Sequence, residues 1–140
     1  MHWNTPFYLN LKISQHNMTE SELWKEVEKF FIDNFEAEQN ISIETILFLI
    51  GVQELGTGKQ KYTKEDKVNL LHIAVCRLLE PFGYFKFSNY DDGGYPHFEE
   101  LEPLPELKPN EQSILMKKAV IQYFIDEELF SAETIDKINN

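Results

Sequence analysis

Cysteine is almost missing from the 140-residue chain, where Cys76 stands alone. One cysteine rules out an intrachain disulfide, and a domain of this length buries about 68–70% of its unfolded surface without such a staple. Positive charge is scarce as well, with 13 Lys and Arg against 24 Asp and Glu for a net charge of -11. That balance argues against direct binding to nucleic acid or to an anionic membrane, because like charges repel. Long hydrophobic runs are absent. The most apolar stretch, Ile46 to Val52, has seven residues, and a bilayer span needs about 20. The N-terminus lacks the basic start and apolar stretch of a secretory signal, so a reducing, cytoplasmic location is expected. No segment is low in complexity, and no internal repeat is visible.

What is present is a globular composition, 42% hydrophobic and 26% charged, which is too apolar for a disordered chain. The length suits one globular domain over residues 1–140. Residues 1–17 alternate Phe7, Leu9, Leu11 and Ile13 with polar neighbours, the pattern of a short strand or extended arm packed on the body. Thr19 followed by Glu22 is a capping-box pattern that opens a helix, with Leu23, Val27, Phe30 and Asn34 on one face and Trp24, Phe31 and Phe35 flanking it. Ser42 caps a second helix to about Leu55, stopped by Gly56 and Gly58. Its run from Ile46 to Ile50 is apolar all round, which predicts a central helix. Periodicity alone leaves a buried strand open for 46–52.

Thr63 caps a third helix to about Pro81, with Val68, Leu71, Val75, Leu78, Leu79 and Phe82 as its main face and Leu70, Ile73 and Ala74 as a second. Gly83 stops it. From about 84 to 101, period-two alternation around Asp91-Asp92-Gly93-Gly94 predicts one small β-hairpin, irregular or at an edge because of Pro96. Pro103, Pro105 and Pro109 mark an extended connector into a fourth helix from about Asn110 to Glu128, with Ile114, Ile121 and Ile125 on one face and Val120 and Phe124 beside it. Ser131 caps a short fifth helix. The expected fold is mainly α, a single-domain bundle of four to five helices with one hairpin.

Charge is uneven along this frame. Residues 19–54 hold nine acids against Lys25 and Lys29, and residues 89–111 hold seven acids against Lys108. Between them lies a modestly basic loop around Lys59, Lys61, Lys64 and Lys67.

Complete chemical motifs are lacking. Gly56, Gly58 and Lys59 suggest a phosphate loop, but Gln53 stands where its first glycine belongs and Gln60 follows the lysine. His72 and Cys76 share a helix face at a spacing of four and could together ligate a metal, with Glu54 or His97 completing the set. Two ligands at helical spacing are not a site, and core-edge packing is the simpler reading. No cofactor and no metal are therefore expected. Gln53 and Glu54 end a helix that looks buried on all sides, so Glu54 must come to the surface, pair with Arg77 or a lysine, or face a cleft. The segment Tyr90-Asp91-Asp92-Gly93-Gly94-Tyr95-Pro96-His97 packs aromatics, carboxylates and a histidine around a glycine turn. Hairpin chemistry explains the glycines, while tyrosines on a rigid turn make good interface anchors.

Two functional expectations follow. The first is a small acidic cytosolic protein-interaction module, an adaptor or inhibitor, whose partner is another protein, in one version a basic one. Its candidate surface is Gln53, Glu54, Tyr90, Asp91, Asp92, Tyr95 and His97. The alternative is a ligand- or metal-binding domain or enzyme whose pocket gathers Glu54, His72, Cys76 and His97.

Overall fold

A computed structural model of the protein describes residues 18–35, 41–56 and 61–139. The expected N-terminal arm over 1–17 and the Gly58–Lys59 part of the basic loop lie outside the described residues. Among the described residues are five α-helices and one two-stranded hairpin: α1 (Glu20–Phe35), α2 (Ile43–Leu55), α3 (Lys64–Leu79), β1 (Phe85–Tyr90), β2 (Pro96–Glu100), α4 (Pro109–Asp126) and α5 (Ala132–Asn139). The chain is mainly α with a small hairpin, as its pattern predicts. It forms two compact units, one of residues 42–105 and the other of the segments on either side.

The flanking unit carries α1, α4 and α5. Thr19 and Glu22 close the predicted capping box, with Glu22 N donating to Thr19 Oγ1 (3.1 Å) and Thr19 N to Glu22 Oε1 (2.8 Å). Leu23, Val27 and Phe31, four apart, are the buried stripe of α1. The expected Phe30 and Asn34 sit beside it, half-buried and exposed. Phe30 and Phe31 both meet the Phe124 ring of α4, at centroid distances of 5.0 and 5.7 Å, and Phe130 reaches it at 5.3 Å. Polar ties join the same helices: Lys118 pairs with Glu20, and Thr134 Oγ1 donates to Glu26 Oε1 (3.0 Å). Ser131 Oγ accepts from Thr134 N (3.2 Å) at the head of α5, as predicted.

On α4 the expected Val120, Ile121 and Phe124 are buried, but Ile114 is not on the inner face and Ile125 is half-buried. Ile114 is 45% exposed, while Leu115, Ala119 and the whole run Val120–Phe124 are buried. The helix turns Leu115 and Ala119 inward at a spacing of four, which carries Ile114 out to solvent. The end of α4 has no glycine. Glu128 takes the left-handed position at φ 56°, with Leu129 N donating to Phe124 O and Glu128 N to Ile125 O, the two bonds of a Schellman motif.

The middle unit carries α2, α3 and the hairpin. Ser42 Oγ accepts from Thr45 N (3.1 Å) to open α2, and Gly56 closes it in the left-handed region at φ 78°. Residues 46–52 are thus helix, not strand. Full burial covers one side, Ile46, Leu47, Ile50 and Gly51, while Phe48, Leu49 and Val52 are half-buried. Gly51 packs directly on the backbone of α3. A Cβ placed there would stand 2.3 Å from the Leu70 carbonyl oxygen of α3.

That contact decides which side of α3 turns inward. Leu70, Ile73, Ala74, Cys76, Leu78 and Leu79 are buried, whereas Val68, expected on the main face, is 60% exposed and Leu71 and Val75 are half-buried. The expected ranking of the two faces is reversed, because only α2's small residue lets the Leu70 side come close. Thr63 and Asp66 form a capping box at the start of α3. A 3-10 turn, Glu80–Phe82, and Gly83 at φ 86° end it.

β1 and β2 pair antiparallel from Phe85↔Glu100 to Tyr90↔Pro96, with a bulge at Ser88 between Phe87 and Asn89. Pro96, lacking an N–H, sits at the strand's first residue, where no ladder donor is lost.

Two substitutions test these joints. Gly51→Ala should destabilise the protein by about 2–3 kcal/mol, since the new methyl meets backbone that cannot yield. Glu128→Gly should stabilise it by about 1 kcal/mol by relieving the left-handed strain. Urea denaturation followed by circular dichroism reads both, and effects of opposite sign are expected.

Candidate functional site

Arg77, on the last turn of α3, joins α2, the 3-10 turn and both strands of the hairpin. Its Nε donates to Glu54 Oε1 at the end of α2 (2.7 Å) and its Nη1 to Glu80 Oε1 in the 3-10 turn (2.5 Å). The guanidinium lies over the Phe98 ring at 5.0 Å and over the Phe87 ring at 5.7 Å, one from each strand. Glu80 continues the chain of contacts, its Oε2 accepting from Phe87 N at 2.8 Å. Burial alone would lower the arginine pKa, but the Glu54 and Glu80 carboxylates outweigh it and raise it. The arginine and Glu54 side chains are only 24% and 15% exposed. Glu54 is thus the paired carboxylate that a helix end of this kind requires.

The hairpin is held by this clamp, and its turn is built by Asp91. Asp91 Oδ1 accepts from Gly93 N (2.9 Å) and Tyr95 N (3.0 Å), while Oδ2 meets His97 Nε2 at 2.8 Å. Gly94 takes φ 86°, a left-handed position that suits glycine. These hydrogen bonds, with His97 first, hold the Asp91 carboxyl below the usual carboxylate range. A depressed folded-state pKa stabilises the turn above the ordinary value, and that stabilisation is lost as pH falls through the lowered one.

Between the turn and α3 lies a cleft of about 550 Å³. The helix contributes Glu65, Asp66, Asn69, His72 and Ile73. The hairpin contributes Asp91, Tyr95, Pro96, His97 and Phe98. His72 and His97, which sequence reasoning grouped, share this cleft with Asp91 and Tyr95. Glu54 is engaged with Arg77, and Gln53 is exposed at the end of α2; neither lines it. Tyr90 is 61% exposed with its ring against Phe87 (5.0 Å), and Asp92 is exposed on the turn.

Cys76 is buried, its Sγ 3.5 Å from His72 Nε2. Burial first, and then the Glu100 charge, push its thiol up to about 11. A thiol so far from ionising is a weak hydrogen-bond partner for His72 rather than a nucleophile. Among the described residues no group of three or more His, Cys, Asp or Glu side chains could hold a metal ion. Nor is any of their helices long and apolar enough to cross a membrane.

No protein-family model, curated protein or solved structure matches this chain.

Sequence reasoning missed Glu65, Asp66 and Asn69. Their signal was a polar stripe at 65, 69 and 72, spacings of four and three that share a helix face with His72. It was hidden because the capping role of Thr63 explained the acids at the start of α3.

The clamp is testable directly. Arg77→Met keeps the stem and removes the guanidinium from both carboxylates, and it should cost about 3 kcal/mol in chemical denaturation. Hydrogen exchange at the Phe87 amide should accelerate with it. A loss under about 0.5 kcal/mol would class the interaction with ordinary surface ion pairs.

Proposed function

We propose that the chain is a cytoplasmic protein-interaction module, and not an enzyme, whose partner presents a basic segment to the cleft between α3 and the hairpin. The composition of the cleft carries this reading. Its lining includes three carboxylates, Glu65, Asp66 and Asp91, and no lysine or arginine. Tyr95 and Phe98 stand among them, and an aromatic face beside carboxylates suits a guanidinium or ammonium. Lys67 lies about 200° round the helix from Glu65, on the far side.

The same two elements carry exposed apolar side chains. Exposed Tyr90 and Val68 belong to the hairpin and to α3, the two elements that form the cleft. Tyrosine is enriched among residues that dominate binding energy. The net charge of -11 steers a basic partner from a distance and speeds encounter, an effect that salt suppresses. The same charge repels nucleic acid and anionic membranes, so neither is proposed as a direct partner.

Of the three carboxylates, Asp66 caps α3 and Asp91 builds the turn. Glu65 is the one that can be neutralised with least disturbance. Glu65→Gln should weaken binding of a fluorescein-labelled hexalysine peptide about fivefold at low salt, read by fluorescence anisotropy. Neutralising Glu127, an exposed acid just past α4, should change it less than about twofold. Equal losses from Glu65→Gln and Glu127→Gln would reduce the binding to a response to net charge and refute the cleft.

A further inference from the structure

We propose that the two histidines of the cleft, His72 and His97, gate its hold on a basic partner, releasing it as the solution becomes acidic. The inference rests on the preceding reading of the cleft and adds its regulation.

The groups facing one another fall on two elements. From α3 come Glu65, Asp66 and His72, and from the hairpin come Asp91, Tyr95 and His97. Lys64 and Lys67 flank the helix outside the lining. With both imidazoles neutral the cleft carries three negative charges against none positive. Histidine is the side chain whose charge changes in mildly acidic solution. Two protons therefore remove two of the three net negative charges.

The two histidines act by different routes. His97 already lies 2.8 Å from Asp91 Oδ2. Protonated, it forms an ion pair with that carboxylate and withdraws Asp91 from any incoming cation. Its shape changes little, because Asp91 is also fixed by the Gly93 and Tyr95 amides. His72 has the buried Cys76 sulfur at 3.5 Å. A buried thiol brings no negative charge, and Glu100 of β2, whose charge reaches the Cys76 sulfur, lies outside the cleft lining, so the new positive charge on His72 is added to the cleft. The carboxylates that attract the partner are thus opposed from both walls at once.

Anisotropy titrations of the full chain with labelled hexalysine, at pH 7.5 and 5.5 and one ionic strength, test the gate. Wild type should bind about fivefold more weakly at pH 5.5, as expected for two charges removed at roughly 8 Å in water. The double variant His72→Gln with His97→Gln should change by less than about twofold. His2 and His16 remain in both proteins, so a general histidine effect would persist in the variant. If the double variant weakens on acidification as much as wild type, the gate is refuted. His72→Gln alone, on an exposed helical position, should halve the logarithmic pH effect, and it serves if the double variant does not fold. The underlying reading fails separately, by absence of binding at pH 7.5 or by indifference to Glu65→Gln, and then the gate falls with it.

Discussion

A guanidinium carries five N–H donors in one plane and stays charged at every pH the protein meets. At Arg77 those properties are used in two directions at once. The edge of the group meets carboxylates from the end of α2 and from the 3-10 turn, and the group also lies over rings from both strands of the hairpin. Lysine has the charge but not the plane, and a neutral side chain has neither. A two-stranded hairpin is marginal in water on its own. Here it rests on a helix through a cation fixed by two carboxylates, which gives the turn a defined position relative to α3. The cleft exists because that position is defined.

The arginine can reach Glu54 only because α2 and α3 lie close. Gly51 makes that approach possible, its missing side chain leaving room for the Leu70 carbonyl. A helix interior disfavours glycine by about 1 kcal/mol relative to alanine. The tight α2–α3 packing opposes this cost and draws Ile46, Leu47 and Ile50 out of solvent. The order of cause therefore runs from one small residue, to a close helix pair, to a reachable carboxylate, to a held hairpin.

Signals carried by neighbours in sequence were legible in advance. Capping residues Thr19, Ser42, Thr63 and Ser131 each open a helix, and Gly56 and Gly83 each close an element in the left-handed region. The Asp91–Gly94 turn was readable for the same reason. Choices between two apolar faces were not. Val68 and Ile114 fit a helical stripe as well as Leu70 and Leu115 do, and only the partner surface decides which enters the core. The pairing of Glu54 with Arg77 was legible as one of several options. That Glu65 and His97 line one cleft was not, since a helix, a 3-10 turn and a hairpin separate them in sequence.

Acidic residues in this chain divide by what they do locally. Glu54 and Glu80 are bound to Arg77, and Glu20 to Lys118, so their charges are offset where they stand. Glu22, Asp66 and Glu111 satisfy backbone donors at helix starts, where a carboxylate also complements the helix dipole. Asp91 does the same for a turn. In the cleft, two of the three carboxylates thus have structural duties that hold them in place. A recognition surface made from such groups needs no further ordering when a cation arrives, and less side-chain entropy is lost on binding. The cleft's electrostatic character is in this sense a by-product of the capping and turn chemistry that folds it, with Glu65 and the two histidines left as the groups that tune it.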